Sequence, residues 1–324
     1  MKRRTFISAA TFLPAAGALQ AQAPFPSQAI KIIIPVGAGG TYDIVARTIA
    51  SDMSQQYKVP VIVENKPGGN YLIAMRALAT AKPDGYTIGV AGGSILVQWP
   101  ILFPEVQFKL EDFQEVAPLV SMRTVLVTSA ASPIKDLAAF VRHAKTSPQA
   151  ALLGTTGLGT ASHLTILQLG RAAGIPVQAV PYASNPAALT ALLGGHIPAL
   201  STLLGGAFEQ YRAGKVRILA YSGSQRHPSI PDIPTFAEAG YPQLTSESWA
   251  AMYAPQGTPA PIVNTLHQAI TASLKKPGFQ QKLPIDTAPF PATPTELRQM
   301  ALDDRSRLGK FLSDPEIRAK VRPN

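Results

Sequence analysis

Short runs of β-branched residues alternate with helical patterns along the chain, and this alternation restricts the fold more than any other feature. Ile30–Pro35 is typical of a buried strand, and Tyr42–Gln56 places apolar residues every three or four positions, as a helix does. Repeated strand-then-helix patterns predict parallel sheets with helices on both faces. The predicted fold class is therefore α/β, and about 300 residues beyond the leader are enough for two domains.

The same alternation continues to residue 312. Further strands are predicted at Val59–Glu64, Tyr86–Ala91, Thr124–Ser129, Ala150–Leu153, Val177–Val180, Ile197–Leu200 and Val216–Tyr221. Further helices are predicted at Leu72–Ala81, Ile134–Lys145, Ser162–Ala173, Asn185–Leu193, Leu204–Ala213, Pro261–Lys275 and Pro294–Leu312. Ligands of open α/β sheets bind beyond the carboxyl ends of the strands, so a site is expected in the loops that follow strands.

Residues 1–23 have the pattern of an export signal. Basic residues lie near the start, an apolar run extends from Phe6 to Leu19, and Ala21-Gln22-Ala23 supplies small residues for cleavage. The run is too short to span a bilayer. The pair Arg3-Arg4 also resembles a twin-arginine signal, so both export routes stay open. A cleaved leader predicts a periplasmic protein; the alternative is a disordered cytosolic tail.

The composition and motif content of the chain exclude several classes of function. The chain has no cysteine, which excludes disulfides and thiolate sites and suits an oxidising compartment. Its formal net charge is +10, or +7 once the three basic residues of the leader are removed, and this surplus favours an anionic ligand. We find no basic–aromatic pattern for nucleic acid, no histidine spacing for a metal and no catalytic motif. We therefore predict no metal, no cofactor, no nucleic-acid partner and no enzymatic activity.

A glycine-rich loop follows the first predicted strand and begins a helix. Gly37–Asp43 reads Gly-Ala-Gly-Gly-Thr-Tyr-Asp. Glycines expose backbone N–H groups, and a helix N-terminus adds unpaired donors and partial positive charge, so an anion fits there. A dinucleotide fingerprint is disfavoured because Tyr42 stands where close helix packing needs Gly or Ala. The alternative is an ordinary turn in which Thr41 caps the helix.

A second loop of the same kind runs from Leu153 to His163. It supplies hydroxyl groups from three threonines and Ser162, and its glycines free the backbone. Neither loop contains Arg or Lys, so an anion would be held by N–H groups, hydroxyls and water. His163 lacks an indicated acidic partner, and we interpret it as a packing or capping residue. A third loop, Pro181–Ala187, offers Ser184 or Asn185 as a helix cap.

These loops, in this order, resemble the substrate-binding proteins of tripartite tricarboxylate transporters, the Bug (TctC-like) family. The resemblance extends over more than 200 residues and includes VENKPGG at 63–69, PDGYT at 83–87, VPYASNPAALTALLGG at 180–195, IPDIPTFAEAG at 230–240 and APQGTP at 254–259. It implies a periplasmic-binding-protein type II-like fold. Each of two lobes would have a mostly parallel sheet flanked by helices, with a ligand cleft between them.

The resemblance also implies where the lobes and the site lie. We expect residues 24–122 and 247–324 in lobe 1 and residues 123–246 in lobe 2. The loops Gly37–Asp43 and Thr155–Thr160 would clasp a ligand carboxylate, partly through water. The candidate ligand-binding residues are Gly37, Ala38, Gly39, Gly40, Thr41, Tyr42, Asp43, Gly93, Ser94, Thr155, Thr156, Gly157, Gly159, Thr160, Ser184, Thr202 and Trp249.

Two departures from the family bear on the ligand. Thr202 stands where the family often has Asp, which removes a partner for a ligand ammonium. We therefore expect an aromatic or aliphatic carboxylate with an uncharged far end. The loop Gly68–Tyr71 is about two residues shorter than usual, which leaves its ligand contact open. The resulting hypothesis is a periplasmic receptor that presents a carboxylate to a transporter or sensor kinase. The alternative is an exported hydrolase or transferase.

Overall fold

The computed structural model describes residues 24–68, 71–103, 106–182, 184–285, 287–290 and 292–321. The predicted leader, residues 1–23, lies outside the described residues. The strands are β1 Ile30–Ile34, β2 Val61–Asn65, β3 Thr87–Gly92, β4 Phe113–Met122, β5 Thr124–Ser129, β6 Leu152–Thr155, β7 Gln178–Pro181, β8 Ala199–Leu203, β9 Val216–Tyr221, β10 Ser248–Pro255 and β11 Ala288–Pro289.

Helices connect these strands and cover the sheets. They are α1 Thr41–Tyr57, α2 Leu72–Ala79, α3 Trp99–Leu102, α4 Leu137–Ala144, α5 Ala161–Ala173, α6 Asn185–Leu193, α7 Leu204–Arg212, α8 Ala260–Leu274, α9 Pro294–Leu312 and α10 Pro315–Val321. A π-helical turn, Ser94–Gln98, leads from β3 into α3. Within the described residues, no helix combines the length and apolar character that crossing a membrane requires.

The strands form two sheets, one in each lobe. The first has the order β11-β4-β10-β3-β1-β2 and the second the order β7-β6-β8-β5-β9. In the first sheet β10 runs antiparallel to both β3 and β4. In the second, β5 runs antiparallel to both β8 and β9. β1, β2 and β3 are parallel, and β4 shares their direction because both β3 and β4 are antiparallel to β10. β6, β7 and β8 are also parallel, so most strands of each sheet share one direction, as predicted.

Packing on both faces explains the apolar run of β1. Ile30, Ile32 and Ile34 point into a core formed with α1 and α8. Ile33 points to the opposite face, into a core with α2 and α9. Successive strand side chains alternate between faces, so a strand covered on both sides is apolar at almost every position. This places the end of β1, and the loop that follows it, at a fixed position in the lobe.

The two longest strands, β4 and β10, were not predicted from the sequence. β4 contains a proline and buried Glu115, whose charge is paired with Arg298 of α9 at 3.0 Å. β10 is rich in alanine. Neither pattern has the β-branched content that indicates a strand, and both strands are stabilised by pairing with distant segments. β4 leads directly into β5 of the other sheet, with Arg123 between them, and Arg123 forms an ion pair with Glu247 just before β10.

The C-terminal helices contact both lobes. Leu308 and Leu312 of α9 pack in one apolar cluster with Leu164 and Leu167 of α5. Arg171, also in α5, forms an ion pair with Asp314 at 3.2 Å. These contacts link the C-terminal helices to α5 of the second lobe.

Candidate ligand-binding cleft between the lobes

A cleft of about 650 Å³ lies between the two lobes, at the carboxyl ends of their parallel strands. This volume is within the usual range for a small-molecule site. None of its described lining residues carries a charged side chain. The cleft brings together eleven of the predicted residues: Gly37, Ala38, Gly39, Gly40, Thr41, Tyr42, Ser94, Thr156, Thr160, Ser184 and Thr202.

The loop from β1 to α1 presents bare backbone to the cleft. A Cβ atom added at Gly37, Gly39 or Gly40 would meet nothing within 4 Å. Gly40 is the N-cap residue of α1 and has no side chain with which to cap it. The first-turn N–H groups of a helix have no partner within the helix. A ligand anion can therefore approach the donors and the partial positive charge at the start of α1.

Asp43 stabilises this loop through a hydrogen bond with its backbone. It is buried, and its Oδ2 accepts a hydrogen bond from the Gly39 N–H at 3.0 Å. Arg47 donates its Nε hydrogen to the same carboxylate, and Asn65 donates to its Oδ1 at 3.1 Å. The hydrogen bond from Arg47 is the largest cause that lowers the pKa of Asp43. Asp43 is not among the residues that line the cleft, and the Gly39 N–H is already bonded to its carboxylate.

In the loop from β6 to α5, two of the predicted threonines hold the loop together. Thr160 caps α5 by accepting from the His163 N–H at 3.3 Å, and it donates to the Gly157 carbonyl at 2.8 Å. Thr155 is fully buried and donates to the same carbonyl at 3.3 Å. Since each hydroxyl has only one hydrogen, neither is free to donate to a ligand. Their role in this structure is to shape the loop.

Thr160 also lines the cleft, but Thr156 and Ser162 are the lining residues of this loop that keep a hydroxyl hydrogen for a ligand. Their oxygen atoms lie 3.3 Å apart, and both residues line the cleft wall. Whichever hydroxyl donates to the other, the second keeps a hydrogen for a ligand. Ser162 at the start of α5 lies beside the helix N-terminus, where an anion is favoured.

The glycines of this loop allow a close approach between the lobes. Gly159 has a positive φ of 67°, and a Cβ there would lie 2.9 Å from Nε1 of Trp99 in the first lobe. Trp99 is buried and stacks on Phe103 with ring centroids 4.2 Å apart. Gly157 also has a positive φ, of 133°. Both glycines act on the conformation of the loop and do not line the cleft.

His163 has a structural role. It is buried, and its Nδ1 accepts a hydrogen bond from the Gly159 N–H at 3.0 Å. Burial lowers its pKa to about 4, so the ring is neutral near pH 7. Its Nε2 then carries the proton, and that atom has no partner among the described residues. The imidazole holds the loop and does not line the cleft.

The ends of β7 and β8 build the rest of the second-lobe wall. Thr202 donates to Oδ1 of Asn185 at 2.7 Å, and Asn185 Nδ2 donates to the Gly206 carbonyl at 2.6 Å. Ser184 caps α6 by accepting from the Ala187 N–H at 3.3 Å. This chain of hydrogen bonds fixes Thr202, and it contains no acidic side chain.

Gly93 and Trp249 belong to the interior instead of the cleft. Trp249 is 1% exposed, and its Nε1 donates to Asp304 of α9 at 3.1 Å. A Cβ at Gly93 would lie 3.0 Å from the Trp249 ring. Strand alternation explains the difference: Trp249 points into the core, while its neighbour Ser248 lines the cleft. Both border a separate cavity of about 30 Å³, which has room for little more than a water molecule.

Further residues that were not predicted from the sequence also line the cleft. They are Val36, Ile44, Tyr71, Ile95, Met122, Ala161, Ser162, Asn185, Leu203, Gly205, Gly206, Ser248 and Pro284. Most lie at the carboxyl ends of strands or in the loops that follow. Leu203 and Tyr71 were therefore predictable from the expectation that ligands bind beyond the carboxyl ends of strands. Met122 ends β4, and no sequence signal indicated that strand. Within the described residues, no cluster of three or more His, Cys, Asp or Glu could hold a metal ion.

A sequence model of the tripartite tricarboxylate transporter family receptors (TctC) matches residues 45–316. The chain belongs to this receptor family. Among curated relatives of this TctC receptor, a UPF0065 protein of Bordetella bronchiseptica is 32% identical over 303 residues, covering 93% of this chain and 89% of that protein. The protein BugT of Bordetella pertussis is 30% identical over 286 residues, covering 87% and 88% of the two chains. The resemblance stated from the sequence motifs is confirmed.

Solved structures confirm the predicted two-lobe fold of the TctC receptor. A periplasmic transporter structure superposes with a TM-score of 0.82 at 32% identity, covering 90% of this chain and 99% of that one. MatC from Rhodopseudomonas palustris with bound malate gives 0.80 at 29% identity, with 89% and 100% covered. A protein of R. palustris with adipate gives 0.81 at 26% identity, with 92% and 98% covered.

Proposed function

We propose that this TctC receptor binds a small organic carboxylate in the interlobe cleft and presents it, in the periplasm, to a membrane transporter or a sensor kinase. The observation that carries the proposal is the uncapped N-terminus of α1, whose bare glycine loop faces a cleft lined by uncharged residues. Similar proteins were solved with malate and adipate, which are both carboxylates.

The carboxylate lies against the start of α1 and is closed in by the second lobe. First-turn N–H groups of α1 and the hydroxyls of Thr41, Thr156 and Ser162 supply hydrogen bonds without a formal positive charge. In a cleft that excludes water these dipoles act more strongly than at the surface. Asp43 keeps the glycine loop in the binding conformation through the Gly39 N–H. Binding therefore depends on a loop that is shaped before the ligand arrives.

The proposed lobes are residues 24–122 with 247–324, and residues 123–246. Their closure around a ligand is a hinge motion about the two places where the chain passes between the sheets, at Arg123 and near Glu247. The proposed export signal covers residues 1–23, and the basic surplus of the mature chain attracts anions to the cleft.

A hydrolase or transferase is the weaker candidate. Such an enzyme needs a nucleophile beside a base, and the described cleft residues include no His, Asp, Glu or Lys. His163, the nearby imidazole, is neutral and already bonded through Nδ1. Incubation with esters and nucleotides, followed by product analysis, separates an enzyme from a receptor.

A thermal-shift and calorimetry screen of mono-, di- and tricarboxylates tests the receptor proposal. A ligand at a hundred times its Kd stabilises the folded state by about 2.7 kcal/mol. That corresponds to a rise of several degrees in Tm, since about 1 kcal/mol shifts the Tm of a chain of 150–250 residues by roughly 2–4 °C. Amines and sugars of similar size serve as controls. If no carboxylate shifts Tm or releases heat, the proposal is wrong.

A further inference from the structure

Tyr71 has an unusual backbone conformation at the edge of the cleft. Its φ of 70° and ψ of −9° place it in the left-handed region, directly before α2. A bulky residue with positive φ is uncommon, and such conformations persist where the surrounding structure holds them, often at ligand sites. A glycine at this position would adopt the conformation without steric strain. The backbone conformation favours glycine at this position, so the presence of a tyrosine points to a role for its side chain.

The ring of Tyr71 packs against other aromatic rings. It meets Trp99 edge-on, with centroids 5.3 Å apart and an interplanar angle of 81°. Trp99 in turn is buried and stacks on Phe103. Edge-to-face and offset stacks are the preferred arrangements of aromatic pairs. The supported ring lines the cleft and gives it a rigid aromatic surface.

A second lining ring lies close to the first. Tyr42, in the first turn of α1, also lines the cleft, and its hydroxyl approaches Gly92 of β3. Burial raises the pKa of Tyr42, and the proximity of Tyr71 raises it further. Burial also raises the pKa of Tyr71, so both hydroxyls stay protonated and uncharged near neutral pH. The carboxylate-binding start of α1 is thus flanked by two neutral aromatic side chains.

The remaining wall does not favour a second charge on the ligand. Thr202 donates its only hydroxyl hydrogen to Asn185, and Asn185 uses one of its two amide hydrogens on Gly206. The other side chains around the cleft that are not hydroxyls are apolar, among them Ile95, Met122 and Leu203. A second carboxylate would lose water and would find no positively charged side chain among the described lining residues. An ammonium group would find no acid among the described lining residues.

From these observations we propose that the ligand is an aromatic monocarboxylate, and that Tyr71 is the residue that selects its flat apolar body. The proposal rests on the carboxylate receptor function stated above and specifies the ligand class of the same cleft. The carboxylate binds at the start of α1, and the ligand ring packs against Tyr71.

Calorimetry with matched ligand pairs tests the proposal. The aromatic acids benzoate, phenylacetate and 3-phenylpropanoate are compared with their cyclohexane counterparts, and adipate and malate represent dicarboxylates. We expect at least one aromatic acid to bind about three- to ten-fold more tightly than its saturated counterpart, the range that an added aromatic contact supplies, and more tightly than either dicarboxylate. Tighter binding of adipate or malate would overturn the ligand class while leaving the receptor function intact. Failure of every acid to bind would overturn both.

Two variants of Tyr71 assign the preference to its ring. In Tyr71→Phe the ring stays and the aromatic preference should persist. In Tyr71→Leu a shorter apolar side chain without a ring remains, and the preference for the aromatic acids should fall to near one. Thermal melts establish that each variant is folded before binding is measured. An unchanged aromatic preference in a folded Tyr71→Leu variant would show that Tyr71 does not select the ligand.

Discussion

The carboxylate of Asp43 accepts the backbone N–H of Gly39 at 3.0 Å, four residues earlier in the chain. One buried acid thus sets the shape of the glycine loop, and Arg47 and Asn65 hold that acid in turn. The Gly39 N–H, one of the donors expected to bind the ligand anion, is bonded to Asp43 instead. This hydrogen bond orders the remaining N–H groups of the loop. This arrangement makes Asp43 a positioning residue whose loss affects both stability and affinity.

Asp43→Asn should lower the free energy of unfolding by about 1–3 kcal/mol near neutral pH, because the charged hydrogen bonds to Arg47 are lost. The pKa of Asp43 is lower in the folded state than in the unfolded one. Its stabilising contribution is therefore complete above the unfolded value of about 3.9 and disappears as pH falls through the folded value. Urea unfolding of both proteins between pH 7 and pH 3 should show the difference shrinking below about pH 4.

Asp303→Asn is the matched control, because it removes an equal charge from an exposed position on α9. Its unfolding free energy should follow that of the native protein at each pH. A difference between the native protein and Asp43→Asn that stays constant to pH 3 would contradict the role assigned to the Asp43 charge.

Gly40→Asp should separate stability from binding. An aspartate at the N-cap of α1 caps the helix, so stability should stay equal or rise by a few tenths of a kcal/mol, roughly the measured difference between Gly and Asp caps. The same carboxylate would occupy and repel the anion site, and affinity for any bound carboxylate should fall at least about ten-fold. Gly40→Asn caps similarly without the charge and should bind more tightly than Gly40→Asp. Equal affinities for the two variants would argue against an anion at this helix start.

The hydroxyls of the β6–α5 loop should divide into two classes. Thr156→Val with Ser162→Ala removes the pair that faces the cleft, so affinity should fall while Tm changes little. Thr160→Val removes the cap of α5 and should cost about 1 kcal/mol of stability. Differential scanning calorimetry with and without ligand distinguishes them. A double variant with native affinity would remove Thr156 and Ser162 from the site.

Thr202→Asp should restore a partner for a ligand ammonium. The new carboxylate would repel a second acid and attract a cation at short range, so 4-(aminomethyl)benzoate should gain at least about ten-fold relative to benzoate. Thr202→Asn is the neutral control and should show no such gain. Equal ratios for the two variants, measured by calorimetry on folded protein, would mean that residue 202 lies too far from the ligand to act on its charge.

The sequence was most informative where local pattern and chain order coincide. Buried strands such as β1 are apolar on both faces, and helices such as α6 have a cap and regular spacing, so their positions were predicted closely. The family followed from the order of several weak motifs, each of which had an ordinary structural explanation. For the same reason the loops at the start of α1 and α5 were identified as candidate site loops before any contact was known.

The sequence could not assign individual donors within those loops. Thr155, Thr156 and Thr160 are the same residue type within six positions, yet only the partners they find in the fold distinguish loop-holding hydroxyls from cleft-facing ones. Trp249 and Ser248 differ only by strand alternation on β10, a strand that pairs with residues more than a hundred positions away. Pairing at such separation leaves no local signal.

By itself, the sequence determined the α/β class, the receptor family and the two loops that begin at strand ends, because periodicity and glycine content act locally. Tertiary structure alone decided which groups meet in the cleft. Tyr71 became a cleft residue because its left-handed backbone and the Trp99 ring direct it there. Asp43 stabilises the glycine loop because the fold brings Gly39, Arg47 and Asn65 around its carboxylate. Contacts of that kind depend on the packing of the whole lobe.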